Sequence, residues 1–170
     1  FHRGLIVFGC GMVISLVTFS MYKLGMATRD VIVWFGVLHL LGLCMMLYPL
    51  YKRLPTQALL AIGAALVVAG YLISGTIVEA GFLFPLGLVR ADFVSSDYFP
   101  LLPHLGWYML GTVLGRTVYA QKQTRLPGRF QNTPLARFFC WCGRQSLFIY
   151  MLHQPIVYGL LELIAAIRNA

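Results

Sequence analysis

Four side chains that stand within or beside long apolar stretches are of the types that carry acid–base and group-transfer chemistry. His39, His104 and His153 lie inside apolar segments, and Asp97 stands seven residues before His104. An imidazole titrates near neutral pH, so it can move a proton or hold an acyl group. Residues seven apart share one face of a helix, where a carboxylate can raise the basicity of an imidazole. These four residues are the predicted catalytic residues.

Each of these residues also has a structural explanation. A neutral histidine can hydrogen-bond between helices inside a bundle. Asp97 followed by Pro100 is a good helix start, because an acidic residue complements the helix dipole and proline suits the first turn. If the three imidazoles instead face the interior together, they line a polar path through the bundle. The spacing is compatible with both explanations.

The composition indicates what kind of solvent surrounds these residues. Of the 170 residues, 59% are hydrophobic and only 11% are charged, whereas soluble domains carry roughly 25% charged residues. The apolar residues form blocks of about 20, which is the length that crosses the hydrocarbon core of a bilayer. The sequence therefore predicts an all-α, polytopic transmembrane helical bundle in which residues 1–170 form a single membrane domain.

Five transmembrane spans are predicted, at residues 4–22, 31–51, 58–75, 100–119 and 146–167. Between the third and the fourth span, residues 76–99 hold a short apolar stretch interrupted by Gly81, Pro85 and Gly87. That stretch is too short to cross a bilayer, so it predicts an interfacial or re-entrant segment.

Small residues in the spans are predicted to serve packing. Gly111 and Gly115 have the G-x-x-x-G spacing that lets helix backbones approach. We expect them to pack inside the bundle, with a homo-oligomer as the alternative. The four cysteines are predicted to be packing residues too. Cys140 and Cys142 are separated by a single residue, which is the wrong spacing for a C-x-x-C pair, and no metal site is predicted.

The distribution of basic residues predicts an orientation in the membrane. Nine lysines and arginines, with no acidic residue, fall on one side of the predicted spans, and four fall on the other side near four acidic residues. By the positive-inside rule, the loop between the last two spans is cytoplasmic and the loop with the sequence SSDYFP is outside. Topology explains the net charge of +8, so the predicted partner is the lipid bilayer and not nucleic acid.

The predicted cytoplasmic loop carries six basic residues and no acidic one. Topology and attraction to anionic lipid head groups are the main explanation. The alternative is a docking surface for the phosphates of coenzyme A, for which the predicted cofactor-binding residues are Arg116, Lys122, Arg125 and Arg144. The end of this loop, NTPLARFFCWCGR, has the pattern of an amphipathic helix at the membrane interface, with Trp141 at the head-group level.

Three stretches carry a resemblance to a known family, namely WFGVLHLLGLCMMLYPLY, SDYFPLLPHLGWYMLGTVLGR and GRQSLFIYMLHQP. In order and spacing they resemble the bacterial branch of the heparan-α-glucosaminide N-acetyltransferase catalytic-domain family, which consists of transmembrane acyltransferases. The resemblance implies transfer of an acetyl group from cytoplasmic acetyl-CoA to an amine or hydroxyl of a sugar on the outer side. It also implies a location in the cytoplasmic (inner) membrane of a bacterium.

The resemblance also implies roles for individual residues. His39, Asp97 and His153 match the family motifs, whereas His104 stands where the family more often has tryptophan. Tyr98, Ser146 and Gln154 are the predicted substrate-binding residues. Family members carry, before the part that matches, further helices and the histidine assigned to acetyl transfer. The resemblance therefore implies that the chain is the C-terminal part of a larger acyltransferase-like domain.

Two other functions fit the same sequence. In a proton-coupled transporter or a flippase-like module, the histidines would relay protons, although the inverted repeats common in transporters are not evident. In a non-catalytic fragment, the chain would need the missing helices from elsewhere. Labelling by acetyl-CoA separates the acyltransferase from the transporter.

Overall fold

The structure is a computed structural model that describes residues 1–120 and 133–168. Within the last helix it describes only the backbone of residues 154, 155, 158, 161, 162, 165 and 166. The chain divides into two compact units, Phe1–Lys122 and Gln123–Ala170.

The regular secondary structure of the described residues consists of helices, which confirms the predicted all-α class. The first unit contains the α-helices α1 (His2–Lys23), α2 (Val37–Tyr51), α3 (Thr56–Ile73) and α4 (Leu101–Val118). It also contains two short 3₁₀ helices, Arg29–Val31 and Gly81–Leu86. The second unit contains α5 (Pro134–Arg144) and α6 (Ser146–Arg168). In place of strands, the described part has isolated bridges between Phe35 and Tyr98 and between Ile77 and Val89.

Helix bounds agree with four of the five predicted spans to within two residues. The second span is the exception, because α2 begins at Val37 and not at residue 31. Ile32 and Gly36 have extended backbone angles, and the residues between them bond to the chain around Ser96. This pairing, which is remote in sequence, removes residues 31–36 from the helix.

Two helices of the described part, α1 and α3, are long and apolar enough to cross a bilayer. α2 is a shorter apolar helix of 15 residues. These helices indicate a membrane protein, and the complete bundle of five spans stays a prediction.

Neighbouring helices of the first unit pack closely through glycines. A methyl group built on Gly42 of α2 would lie 2.5 Å from the Phe8 nitrogen of α1, and one on Gly106 of α4 would lie 2.6 Å from the Gly63 oxygen of α3. The backbones therefore approach each other too closely to admit a larger residue at these positions.

The helices are antiparallel in pairs. Gly4 of α1 lies against Gly42 of α2, whereas Ser15 further along α1 lies against His39 near the start of α2. Gly70 near the end of α3 lies against Pro103 at the start of α4. The end of α1, the start of α2, the end of α3 and the start of α4 thus meet at one end of the unit, here called the mouth end.

The predicted packing of Gly111 and Gly115 inside the bundle is wrong for this unit. A methyl group built on either glycine meets no atom of the described residues within 4 Å. The reason is helical geometry, because α4 turns Gly106 and Met109 toward α3, and Gly111 and Gly115 lie roughly half a turn away from that face.

The core of the first unit consists of two apolar clusters. One surrounds Phe35, Leu40 and Cys44, and the other surrounds Tyr51, Leu59 and Met109. Cys44 is fully buried, which confirms the predicted packing role of that cysteine.

In the second unit, α5 is an amphipathic helix, as predicted. Its first turn is capped by Thr133, whose Oγ1 accepts a hydrogen bond from the Ala136 nitrogen at 3.2 Å. Its apolar side chains are exposed, and the rings of Phe138 and Trp141 stack with centroids 6.5 Å apart. Arg137 and Arg144 lie seven residues apart and hence on one face. Its location at a membrane interface stays a prediction.

Candidate functional site

The SSDYFP segment is held against the chain that leads into α2. The Phe99 nitrogen donates to the Phe35 oxygen at 2.9 Å, and the Ser96 nitrogen donates to the Ile32 oxygen at 3.2 Å. The Ser95 hydroxyl donates to the same Ile32 oxygen at 3.1 Å. Because these bonds join residues about 63 positions apart, they fix the SSDYFP segment at the mouth end.

Two predicted catalytic residues meet at the first turn of α2. The Val37 nitrogen donates to Asp97 Oδ2 at 3.2 Å, and the Gly36 nitrogen donates to His39 Nδ1 at 3.2 Å. The first backbone N–H groups of a helix have no partner within the helix, and they carry a partial positive charge. Asp97 and His39 therefore both cap α2, and the charge of Asp97 also acts on the His39 ring.

Two glycines make room for these caps. A methyl group built on Gly36 would overlap Asp97 Oδ2, and one on Gly11 would lie 2.9 Å from His39 Nδ1. Neither glycine was among the predicted site residues. A Gly-x-x-His sequence at a helix start is the local signal for one of them, because the third helical residue commonly reaches back to the capping residue.

The hydrogen bonds of His39 define its tautomer. Nδ1 accepts from Gly36, so the neutral ring carries its proton on Nε2 and donates it to the Ser15 hydroxyl at 3.4 Å. The ring is 2% exposed and lies between Phe8 and Phe35, with centroids 5.2 and 5.5 Å away. His39 is thus closed off from solvent, and the expectation that it lines an open polar path is not met at this position.

His104 has the opposite tautomer. Its Nδ1 lies 2.8 Å from the Pro100 carbonyl oxygen, which can only accept, so Nδ1 carries the proton. The neutral ring then keeps its lone pair on Nε2. The ring is half-buried and packs edge-on against Phe99 at 5.3 Å. This arrangement leaves His104 able to accept a proton at Nε2.

At the mouth end, Tyr98 packs into an aromatic cluster. Its hydroxyl donates to the Phe84 oxygen at 2.5 Å, and its ring packs against Phe93 at 4.9 Å. Phe84 in turn stacks on Phe93 at 5.9 Å. Burial raises the pKa of Tyr98 to about 12, so the phenol is a neutral hydrogen-bond donor at physiological pH.

The predicted cofactor-binding residues fall in different places. Arg116 lies near the end of α4, where its guanidinium donates to the Leu54 oxygen at 2.8 Å and to the Lys52 oxygen at 2.5 Å. It therefore ties α4 to the turn between α2 and α3. Lys122 and Arg125 lie outside the described residues, and Arg144 is the last residue of α5.

The remaining predicted residues belong to α6 in the second unit. Ser146 is the first residue of that helix and is exposed. The Nδ1 atom of His153 donates to the Tyr150 oxygen, so the neutral His153 ring, like that of His104, keeps its lone pair on Nε2. The side chain of Gln154 lies outside the described residues. Within residues 1–120 and 133–168, no cluster of three or more potential metal ligands occurs.

Sequence reasoning missed the residues that hold His39 and Asp97 in place. Ser15 and Gly11 on α1 and Gly36 before α2 surround the two caps. Ser15 contacts His39 across 24 positions, and no local pattern in the sequence reports such a contact.

Two apolar helices of bilayer length indicate a helical membrane protein, and His39, Asp97 and His104 lie at the mouth end of its first unit. The family model described as heparan-alpha-glucosaminide N-acetyltransferase, catalytic, matches residues 1–155. Because the match covers most of the 170 residues, the chain belongs to this family, which is of acetyltransferase type. The resemblance predicted from the sequence is thereby confirmed. Comparison with curated proteins and with solved structures gave no match.

Proposed function

We propose that the protein transfers an acetyl group from acetyl-CoA to an amine or hydroxyl of a sugar. The donor would bind on the cytoplasmic side and the acceptor at the mouth end, on the outer side of a bacterial cytoplasmic membrane. The observation that carries the proposal is the family match over residues 1–155. That match includes the whole segment from Asp97 to His104 on which the proposed acceptor site depends.

His104 is the proposed general base on the acceptor side. Its neutral tautomer keeps a lone pair on Nε2, because Nδ1 donates to Pro100. In the reaction the sugar nitrogen or oxygen attacks the thioester carbonyl carbon, and the C–S bond breaks. Nε2 takes the proton of the attacking group, and the coenzyme A thiolate leaves and is protonated in turn.

A covalent route has the same overall balance. The imidazole nitrogen of a histidine first displaces the thiolate and carries the acetyl group, and the sugar then displaces the imidazole. His153 is the proposed residue on the donor side, because its anchored Nδ1 leaves Nε2 as the nucleophile. Detection of an acetyl group on the enzyme during turnover would favour this route over direct transfer.

Asp97 and His39 are proposed to organise the acceptor site. Asp97 adds a negative charge at the start of α2, where a protonated amine or imidazolium would be stabilised. The enclosure of His39 favours a positioning role, since both its ring nitrogens are engaged by Gly36 and Ser15. Tyr98 is the proposed hydrogen-bonding partner of the sugar.

Coenzyme A is proposed to bind through its phosphates to basic residues at the opposite end of the bundle. Arg116 supports this, since two hydrogen bonds to Lys52 and Leu54 use only part of its five N–H donors. Lys122, Arg125 and Arg144 are the other residues proposed to bind the phosphates of coenzyme A. Ser146 and Gln154 stay proposed substrate-binding residues.

The test uses purified protein in detergent with radiolabelled acetyl-CoA and glucosamine. We expect label on the sugar, and His104→Ala should lower kcat by about 10²–10⁴-fold, as loss of a general base does. Asp97→Ala and His153→Ala should lower the rate as well. Gly9→Ala is the control, because a methyl group there meets open space.

Two other results would count against the proposal. Absence of label on every sugar, together with proton-coupled uptake in liposomes, would favour a transporter. An inert 170-residue chain beside an active longer parent would favour a non-catalytic fragment.

A further inference from the structure

A cavity of about 210 Å³ opens at the mouth end of the first unit. Its lining comes from the segment after α1 and from the connection between α3 and α4, and it includes Arg29, Trp34, Phe84, Arg90, Asp92 and Phe93. A cavity of this volume suits a single small polar group such as a head group.

The depth of the cavity in a membrane can be inferred from the two helices of bilayer length. α1 ends at Lys23 and α3 ends at Ile73, and the cavity is lined by residues that follow each of these ends. If α1 and α3 cross a bilayer, the cavity lies at the level where hydrocarbon gives way to head groups. Trp34, 40% exposed, is the residue type enriched at that level.

The charges in the cavity favour an anion. Arg90 Nε lies 3.2 Å from Asp92 Oδ1, and Arg29 Nη2 lies 3.8 Å from Asp92 Oδ2. Two guanidinium groups facing one carboxylate leave a net charge of +1. Two guanidinium groups hold ten N–H donors, more than the two oxygens of Asp92 can accept. All three side chains are more than half exposed, so a ligand can reach them.

The surroundings of the cavity favour an anion that carries apolar chains. Phe82, next to the lining residue Gly81, is 77% exposed, and the lining residue Val94 is 46% exposed. Met26, three residues before Arg29, is 67% exposed. A free phosphate or an acidic sugar gains nothing from such residues, whereas acyl chains are stabilised by contact with them.

We propose that this cavity binds the phosphate of an anionic phospholipid head group, with Arg29 and Arg90 as the ligands of the phosphate. Asp92 holds the two guanidinium groups in place and competes with the lipid for them. Arginine forks match phosphate oxygens in geometry. The cavity wall formed by Phe93 contacts Tyr98, so a bound lipid also stabilises the segment that carries Asp97.

The experiment measures lipid retention on the purified protein by native mass spectrometry, in nonionic detergent and without acetyl-CoA. The probes are phosphatidylglycerol, phosphatidylcholine and glycerol phosphate, which is the head group without acyl chains. We expect phosphatidylglycerol to bind about tenfold more tightly than phosphatidylcholine, because the choline cation of the latter is repelled by the net positive charge of the two guanidinium groups. Glycerol phosphate should fail to displace it at equal concentration.

Substitutions of the arginines and of Asp92 should change the affinity for phosphatidylglycerol in opposite directions. Arg29→Gln and Arg90→Gln should each remove the preference for phosphatidylglycerol, and Asp92→Asn should tighten binding by freeing both guanidinium groups. Arg53→Gln is the control, because Arg53 is an exposed arginine at the opposite end of the helices. The melting temperature of each variant verifies that it is folded, and a fall of affinity with added salt provides a second readout on the wild type.

Three results would overturn the proposal. Equal binding of the two lipids would show that the cavity does not distinguish lipids by their net charge. A loss of binding in Asp92→Asn equal to that in the arginine variants would show that the triad only maintains the fold. Displacement by glycerol phosphate at equal concentration would assign the cavity to a soluble anion. Because none of these measurements involves acetyl transfer, their outcome is independent of the proposed function.

Discussion

Replacement of His39 by alanine should destabilise the first unit by about 3–5 kcal/mol. Loss of the ring opens a cavity between Phe8 and Phe35, which costs about 2–3 kcal/mol for a group of this size. The Gly36 N–H, which donates to Nδ1 at 3.2 Å, loses its partner in a closed environment, at a cost of about 1–2 kcal/mol. The bond to Ser15 is long, at 3.4 Å, and adds little.

The assay is thermal unfolding of the purified protein in detergent, followed by intrinsic fluorescence. A loss of this size lowers the Tm of a chain of this length by roughly 6–20 °C. His39→Asn is the matched variant, because its side-chain oxygen can accept from Gly36 near the position of Nδ1. It should lose less than the alanine variant, and Ser15→Ala should lose about 0.5–1 kcal/mol.

Two results would refute this reasoning. An alanine variant that melts together with the wild type would show that the cap on α2 contributes nothing. Equal losses for alanine and asparagine would show that ring volume matters and that the hydrogen bond to Gly36 does not.

Three further predictions concern packing, titration and the opposite end of the helices. Gly42→Ala should lower Tm far more than Gly9→Ala, because the added methyl meets the Phe8 backbone at 2.5 Å in the first case and open space in the second. Stability should fall between pH 10 and about 12, because burial raises the pKa of Tyr98 to about 12. In that range the folded protein keeps a proton that the unfolded chain releases. The contribution of the Tyr98 phenol to stability is therefore complete below pH 10 and is lost as the pH rises through 12. In a pH series of melting curves, the Tm of Tyr98→Phe should fall less steeply than that of the wild type. Arg116→Lys should lower Tm by losing the forked contact with two carbonyl oxygens, and an unchanged Tm with a raised KM for acetyl-CoA would instead assign Arg116 to the donor alone.

Composition and apolar block length predicted most of the helices. α1, α3, α4 and α6 follow from runs of apolar residues bounded by charges or prolines, and such runs depend only on local sequence. The start of α2 could not be predicted in this way, because VIVWFG is as apolar as the helix that follows. What ends the helix there is pairing with residues around Ser96 and the cap from Asp97, which lies 60 positions away.

The candidate site shows the same division. Residue types pointed to His39, Asp97 and His104, and the first two do meet at the start of α2. The hydrogen-bond partners of His39 and His104 decide which nitrogen of each ring carries the proton, and the structure is needed to identify those partners. The cavity with Arg29 and Arg90 was also missed, because in the sequence these residues count only as charges at the ends of spans.

The two glycines of the G-x-x-x-G pair illustrate a different limit. Gly111 and Gly115 have a spacing that permits close packing, but spacing does not say which face of α4 meets a neighbour. The neighbour α3 lies on the face of Gly106, and only the angular position around the helix distinguishes the two faces.

The most direct test of the account is acetyl transfer across a sealed membrane. The purified protein is reconstituted into liposomes that enclose glucosamine, and radiolabelled acetyl-CoA is supplied outside. We predict that label accumulates on the enclosed sugar while coenzyme A is released outside, and that His104→Ala abolishes the accumulation. If enclosed glucosamine stays unlabelled while the same liposomes, opened by detergent, also give no acetylated sugar, the proposal that this chain is a transmembrane acetyltransferase is contradicted.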